Sequence, residues 1–426
     1  MKPRLLDDCF LHDKDRLLHE EALSILKQRI SPIVGTETVP LAEAGGRILM
    51  EDILAPRPVP WHTNAAVDGY AFAHDHYDME KGSSFEQSAR IAAGHNIKGD
   101  VSKSRTARIF TGAVMPDIYD TVVMQEDVTV ESRNGTTIIS FPGGLKAGAN
   151  CRLAGEDQQT GDVVMRAGTR LRPQDLAGIA STGFDQIPCA KRLRVALFST
   201  GDELVQPGNE IAHGQVYDSN APMLRGLIES TGATCIDLGV LPDDADIVRQ
   251  SLLEASKEHD LLLTSGGASR GEEDHVVETL NELGQLHMWQ IAVKPGRPMS
   301  FGQIDGCAFA GLPGNPVAVF VCFLLFVRPI IVRLSGGAWP EPNRYKLAAG
   351  FQINKKKTGR REFLRAATEM DESGNLRVQK FTRDGSGLIS SLQFADGLIE
   401  LDEATAEVNI GDPVSFIPLS EFGLIT

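Results

Sequence analysis

Five Gly- and Pro-rich stretches between Ser199 and Pro316 carry side chains able to do chemistry on an anion. They are Ser199-Thr200-Gly201-Asp202-Glu203-Leu204, Tyr217-Asp218-Ser219-Asn220, Thr264-Ser265-Gly266-Gly267-Ala268-Ser269-Arg270-Gly271, Lys294-Pro295-Gly296-Arg297-Pro298 and Gly311-Leu312-Pro313-Gly314-Asn315-Pro316. In the third, glycine permits close backbone approach, so successive N–H groups can form a concave nest for a phosphate-like group, with Arg270 as a charged donor. An ordinary strand-to-helix turn has the same composition. The run matches neither G-x-x-x-x-G-K-[ST] nor G-x-G-x-x-G, so neither a P-loop nor a dinucleotide fingerprint is indicated. Pro295, Gly296 and Pro298 stiffen the fourth stretch and pre-organise Lys294 and Arg297 for an anion. Asp202, Glu203 and Asp274 are carboxylates at strand ends that one sheet can gather, the donor type that holds Mg²⁺ against phosphates. Glu272 and Glu273 need only the dipole of the helix they open. Helix capping is the competing reading for Asp218-Ser219-Asn220 and accounts well for Asn315-Pro316. The histidines at 62, 74, 76, 213, 275 and 287 show no ligand spacing and receive no metal role.

The elements that must position these turns alternate in period. Apolar runs at 195–199, 261–264, 291–293 and 308–310 read as strands; 222–230, 246–257 and 273–283 read as helices. That alternation predicts a doubly wound, mostly parallel α/β sheet, which collects ligands at the carboxyl ends of its strands. Residues 12–30 read as a helix with Leu18, Ala22, Ile25, Leu26 and Ile30 on one face. A Pro-rich extended connector follows over 39–68. Short β-branched runs at 89–93, 106–110, 121–124 and 136–140 predict a small β-rich module. The stretch 151–189 is expected to return and pack with the N-terminal helix. Beyond Trp339, short strands between Asp-Gly and Gly-Asp turns predict a C-terminal β-barrel-like domain. The expected partition is an elongated linking domain (1–60 with 145–190), the β-rich module (61–144), the α/β domain (191–338) and the C-terminal β domain (339–426).

Bulk properties exclude several classes. At 426 residues the chain exceeds one ordinary core. A net charge of −15 argues against nucleic-acid binding, which needs a basic surface. Six cysteines without a C-x-x-C pair fit reduced thiols rather than disulfides or zinc. Residues 1–10 lack an apolar signal core, and the apolar run 317–327 stops at Arg328, too short to cross a bilayer. A cytoplasmic protein with no membrane association is expected.

Taken in order, these motifs resemble the molybdopterin molybdenumtransferase family, of the MoeA and gephyrin E-domain type. The resemblance runs through Asn64-Ala65-Ala66-Val67-Asp68-Gly69-Tyr70, Arg108-Ile109-Phe110-Thr111-Gly112, Gly155-Glu156-Asp157 and the five stretches above, and so covers nearly the whole chain. It implies insertion of molybdenum: adenylylated molybdopterin and molybdate become Mo-molybdopterin and AMP, with Mg²⁺. It also implies a homodimer of four-part subunits whose cleft is shared between the α/β domain of one subunit and the β-rich module of its partner. Partners in the pathway would be the molybdopterin adenylyltransferase and the molybdoenzymes or their chaperones. Carried over by position, Asp68, Thr111, Asp157, Glu203, Asp243, Lys294 and Arg365 are implied catalytic residues, and Glu203 and Asp274 metal ligands. Cofactor contacts are implied for Thr200, Gly201, Asp202, Asp218, Ser219, Asn220, Ser265, Gly266, Gly267, Ser269, Arg270, Pro295, Gly296, Arg297, Pro313, Gly314 and Asn315. Ala65, Val67, Arg270 and Gln290 stand where the family commonly has other residues, a lysine in the case of Gln290. A non-catalytic molybdopterin carrier or scaffold and a molybdopterin adenylyltransferase are the alternative functions.

Overall fold

In the computed structural model, residues 17–266, 275–296 and 298–424 are described. The runs at 195–198 and 261–263 have no polar face, so they fold stably only as strands covered on both sides. They lie at the centre of a six-stranded sheet ordered Thr234–Leu241, Arg194–Thr200, Leu261–Ser265, Cys307–Leu312, Pro298–Ile304, Gln285–Gln290. The first four strands are parallel and the last two antiparallel. Alternation along the strands sorts the core. Val195, Leu197, Leu261 and Leu263 pack with Leu224 and Ile228 on one face, while Ala196, Phe198 and Leu262 pack with Val248, Leu252 and Leu280 on the other.

Four strands differ from the sequence reading: 291–293, and the unread Thr234–Leu241, Gln285–Gln290 and Pro298–Ile304. Residues 291–293 do not enter this sheet; Val293–Lys294 pairs instead with Arg361–Met370 of the C-terminal barrel. The sheet's actual edges, Thr234–Leu241 and Gln285–Gln290, lack an uninterrupted apolar run because an edge strand is partly solvated. The apolar helix also continues past Arg328 to Leu334. At 19 residues and mean hydropathy 2.4 it is long enough to span a membrane, yet 89% of it is buried in the core. Arg328 Nε donates to the Phe422 carbonyl at 3.0 Å, and its guanidinium lies over the Phe422 ring, so the charge ends at the core's rim.

The N-terminal helix His19–Arg29 does not receive the returning segment. Its apolar face, Ala22 and Leu26 with Ile30 beyond it, joins the α/β core. The returning segment pairs with the connector: Gln186–Ala190 with Thr36–Pro40, and Val163–Met165 with Ile53–Leu54. A separate core of Val39, Leu49, Ile53, Leu171, Ile179 and Ile187 closes between them. The β-rich module is a seven-stranded sheet that includes Gly69–Phe72, Ser83–Ile91, Arg105–Ile109, Thr121–Met124 and Thr136–Phe141. The C-terminal region is a closed five-strand barrel: Arg361–Met370 pairs with both Leu376–Lys380 and Gly397–Leu401, and Tyr345–Ala349 and Pro413–Pro418 complete the ring.

Candidate active site

The carboxyl ends of the parallel strands carry the chemistry-bearing turns, as the topology requires. Thr200 and Ser265 end their strands, Asp243 follows Leu241, and Gly314 and Asn315 follow Leu312. They line a cleft of about 980 Å³, together with Gly201, Glu203, Asp218, Ser219, Asn220 and Gly266. Gly387 and Ile389 of the barrel complete the wall.

Local geometry explains why these loops can meet. Gly201 has φ +138°, and a side chain there would run into the Glu203 carboxylate. Gly266 has φ +93°, and a Cβ would sit 2.9 Å from the Thr200 carbonyl and hydroxyl oxygens. Only glycine lets these neighbouring strand ends approach so closely. Asp202 Oδ1 accepts the Asp243 amide at 3.2 Å, drawing two acidic turns together. Asp218 Oδ1 accepts the Asn220 and Ala221 amides at 3.0 and 3.1 Å and so caps its helix. Asn220 Nδ2 donates to Ser265 Oγ and to the Gly314 carbonyl, both at 2.7 Å, and ties three of the loops to one another. The lining carries the carboxylates Glu203, Asp218 and Asp243 but, among the described residues, no Lys or Arg.

The two expected cations among the described residues, Lys294 and Arg365, lie elsewhere. Lys294 pairs with Glu362 of the barrel at 3.5 Å. Gly296 packs on the apolar helix, where Cys322 Sγ donates to its carbonyl at 3.5 Å. Neither of them, nor Pro295 or Pro313, lines the cleft. Arg365 is buried; its Nε donates to Ser391 Oγ at 3.0 Å and its guanidinium to the Gly385 carbonyl at 3.2 Å. Burial disfavours its charged form. Arg365 thus holds the 385–391 loop, and that loop reaches the cleft through Gly387 and Ile389. The Ser386 carbonyl also takes the Val317 amide at 2.9 Å, fastening the loop to the start of the apolar helix. Sequence reasoning missed Gly387 and Ile389. The Asp384-Gly385 turn was their only signal, and it marks any hairpin.

A second polar group sits on the β-rich module. Thr111 donates to Asp68 Oδ1 through its amide at 2.8 Å and its hydroxyl at 2.7 Å. Those bonds hold the Asp68 carboxyl below the usual carboxylate range. Asp157 is exposed on the neighbouring ribbon, its amide donating to the Val59 carbonyl at 3.0 Å. Gly69 is required beside Asp68, since a side chain would strike the Val123 carbonyl. Asp68, Thr111 and Asp157 do not line the α/β cleft of their own chain. Gly267, Ser269, Arg270, Asp274 and Arg297 lie outside the described residues.

One histidine cluster had no sequence signal. His19, Glu20 and Glu400 bring ligand-type atoms within 4.8 Å of one another. Arg361 already bridges Glu20 and Glu400, however, and Arg344 also pairs with Glu400. The carboxylates are neutralised, and the cluster is an ion-pair knot joining the N-terminal helix to the barrel.

An open α/β sheet with a polar cleft at its strand ends, flanked by a β module and a barrel, defines a multidomain enzyme that binds a small polar ligand. Comparison with known proteins narrows this. Residues 17–183 match the MoeA N-terminal region (domain I and II), 196–333 a probable molybdopterin binding domain, and 346–419 the MoeA C-terminal region (domain IV). A molybdopterin molybdenumtransferase of Haemophilus influenzae is 35% identical over 402 residues, covering 94% of this chain and 98% of its own. One of Bacillus subtilis is 30% identical over 393 residues, covering 91% and 90%. A crystal structure of a molybdopterin biosynthesis MoeA protein from Pyrococcus horikoshii OT3 superposes with TM-score 0.80 at 30% identity, covering 95% of this chain and 100% of that one. The chain belongs to the molybdopterin molybdenumtransferase family.

Proposed function

We propose that this protein is a molybdenum insertase that converts adenylylated molybdopterin and molybdate to Mo-molybdopterin and AMP. The observation that carries the reading is the cleft. Its walls are the turns 200–203, 218–220, 265–266 and 314–315, within the segment that matches a probable molybdopterin binding domain. The hydroxyls of Thr200 and Ser265 offer donors to a bound oxyanion. The bridge through Asn220 keeps the loops that carry Ser265 and Gly314 in register while substrate enters and product leaves.

The residues present fit Mg²⁺. Glu203 and Asp243 bring carboxylates from neighbouring strand ends into one cleft, and Asp202 supports the Asp243 turn. A few carboxylates plus the ligand's phosphate oxygens are what Mg²⁺ commonly takes. When bound it would supply positive charge against the pyrophosphate link to AMP. Asp68, ionised and oriented by Thr111, is the group on the β-rich module best placed to hold a proton acceptor's charge.

The reading extends to a cytoplasmic homodimer in which the β-rich module of one subunit faces the α/β cleft of its partner. The absence of Asp68, Thr111 and Asp157 from their own chain's cleft supports it. So do exposed apolar residues on the connector and its returning partner, Leu54, Trp61, Leu153 and Val163, with Val114 of the β-rich module bridged to Asn64 of the connector. The molybdopterin adenylyltransferase would supply the substrate, and molybdoenzymes or their chaperones would take the product.

The test is AMP release from adenylylated molybdopterin by the purified protein. Release that requires both molybdate and Mg²⁺ and is lost in Asp243→Asn is expected; molybdate-independent hydrolysis would overturn the reading. Mixing inactive Asp68→Ala and Asp243→Ala chains tests the shared cleft. Statistical reassembly makes half the dimers mixed, each with one intact site, so recovery of about 25% of activity is expected. No recovery would place each site within one subunit.

A further inference from the structure

Arg108 is a half-buried cation on the β-rich module that forms no ion pair among the described residues. It lies directly across from Tyr70 in the strand pairing. Its guanidinium sits 4.9 Å from the centre of the Tyr70 ring and 4.8 Å from that of Phe110. Both distances are within cation–π range. One nitrogen donates to the Gly69 carbonyl at 3.2 Å and another to Gln125 Oε1. Gln125 in turn donates its main-chain amide to the Asp68 carbonyl at 3.1 Å. Two successive carbonyls, those of Asp68 and Gly69, are therefore tied to one guanidinium, directly at Gly69 and through Gln125 at Asp68.

The carboxylate itself is treated differently. Thr111 uses only Oδ1, and Oδ2 accepts no hydrogen bond among the described residues. The two Thr111 bonds hold the carboxyl below its usual range, and the charge of Arg108 acts in the same direction. An arginine free to move would close onto such a carboxylate through both of its oxygens. Here the two rings, the Gly69 carbonyl and Gln125 hold the guanidinium back, so its charge reaches Asp68 while Oδ2 stays open. We propose that Arg108 is a positioning residue for Asp68, fixing the main chain that carries the carboxylate and lending it charge without occupying the oxygen that meets the substrate. This rests on the function proposed above. Arg90 supplies an internal comparison. It lies across from Arg108 on the neighbouring strand and 4.7 Å from the centre of the same Phe110 ring, yet donates to neither of those carbonyls.

The experiment measures molybdate-dependent AMP release from adenylylated molybdopterin by the full-length protein and by Arg108→Met, Arg108→Lys, Gln125→Ala and Arg90→Gln. Arg108→Met keeps the bulk and removes the charge and both bonds. Its kcat should fall about ten-fold or more, the scale of one hydrogen bond from a charged donor. KM should stay within about two-fold, because a positioning residue does not touch the substrate. Arg108→Lys should recover little of the loss, since an ammonium cannot lie flat on two rings and reach both acceptors. Gln125→Ala, at an exposed side chain, stays informative should Arg108→Met fail to fold. It should lower kcat by a smaller factor and add nothing to Arg108→Met in the double variant. Arg90→Gln should leave both constants unchanged. A raised KM with kcat kept would make Arg108 a substrate contact and overturn the positioning role. Equal loss in Arg90→Gln would reduce the effect to surface charge, and full recovery in Arg108→Lys would leave nothing for the directed bonds; either overturns the assignment. So would unchanged kinetics in both Arg108→Met and Gln125→Ala. No AMP release by the unaltered protein overturns the function, and the inference with it.

Discussion

Lowering the pH from 8 to 5 should weaken the fold through one residue, His19. Its ring is fully buried, tilted against Phe326 and Phe363, and neither ring nitrogen has a partner. Burial, and then the charges of Arg361 and Arg344, push its pKa down from 6.5 to about 3. The folded protein therefore keeps the ring neutral at pH 5, while the unfolded chain takes up a proton as pH falls through 6.5. Stability is lost progressively below pH 6.5 and the loss levels off only near pH 3. A pH of 5 lies about 1.5 below the ordinary imidazole pKa that the unfolded chain keeps, a factor of roughly 30, so the contribution is about 2 kcal/mol. The figure is set by the ordinary imidazole value, because at pH 5 the buried ring has scarcely begun to titrate. Denaturant unfolding followed by circular dichroism at pH 8 and pH 5, in the unaltered protein and in His19→Leu, isolates this term. The leucine variant should lose about 2 kcal/mol less over that interval, with all other titrating groups cancelling between the two proteins. Equal pH dependence in both would refute the burial argument.

Two further substitutions test packing and positioning. Gly296→Ala should destabilise by about 2–4 kcal/mol, because its φ of +99° disfavours a side chain and the new Cβ would collide with the buried Cys322 sulfur. Adding Cys322→Ala should restore only part of the loss in thermal stability, since the backbone strain remains. Arg365→Met should cost about 1–3 kcal/mol by stranding the Gly385 carbonyl. It should also raise KM, because the loop carrying Gly387 and Ile389 loses its anchor. Arg365→Lys should rescue little, as an ammonium cannot make the same pair of directed bonds, and unchanged kinetics in the methionine variant would remove Arg365 from the positioning role.

Much of the fold was legible because buried parallel strands have an uninterrupted apolar signature. Val195 to Phe198 and Leu261 to Leu263 need no tertiary information to be read. The edge strands Thr234–Leu241 and Gln285–Gln290 were not legible, since half-solvated strands mix polar and apolar residues without a clean period. Nor does local sequence reveal that Thr36–Pro40 pairs with Gln186–Ala190, because nothing near either strand encodes so distant a partner. The site divides in the same way. Glycines and carboxylates at strand ends are gathered by topology, so Thr200, Asp218, Asn220, Ser265 and Gly314 meet as expected. Lys294 and Arg365 are long side chains whose direction depends on what packs beside them, and Glu362 and Ser391 of the barrel take them. His19 gave no signal because its environment is made by Arg361, Arg344 and two phenylalanines far away in the chain.

The charge of the cleft carries one more consequence. Its described lining has three carboxylates, Glu203, Asp218 and Asp243, and neither Lys nor Arg. A phosphoryl or molybdate anion about 5 Å from one such carboxylate meets about 3 kcal/mol of repulsion at an effective dielectric near 20. Hydroxyl donors such as Thr200 and Ser265 contribute about 1 kcal/mol each and do not offset several such terms. A divalent cation between the carboxylates and the anion reverses the sign, turning the acidic walls from an obstacle into the means of holding it. Affinity for AMP should therefore rise at least ten-fold on adding Mg²⁺, and Glu203→Gln combined with Asp243→Asn should abolish that gain while strengthening metal-free binding. AMP binding indifferent to both EDTA and the double substitution would mean that the anion sits away from these carboxylates. The strand-end cleft would then hold only the uncharged part of the substrate.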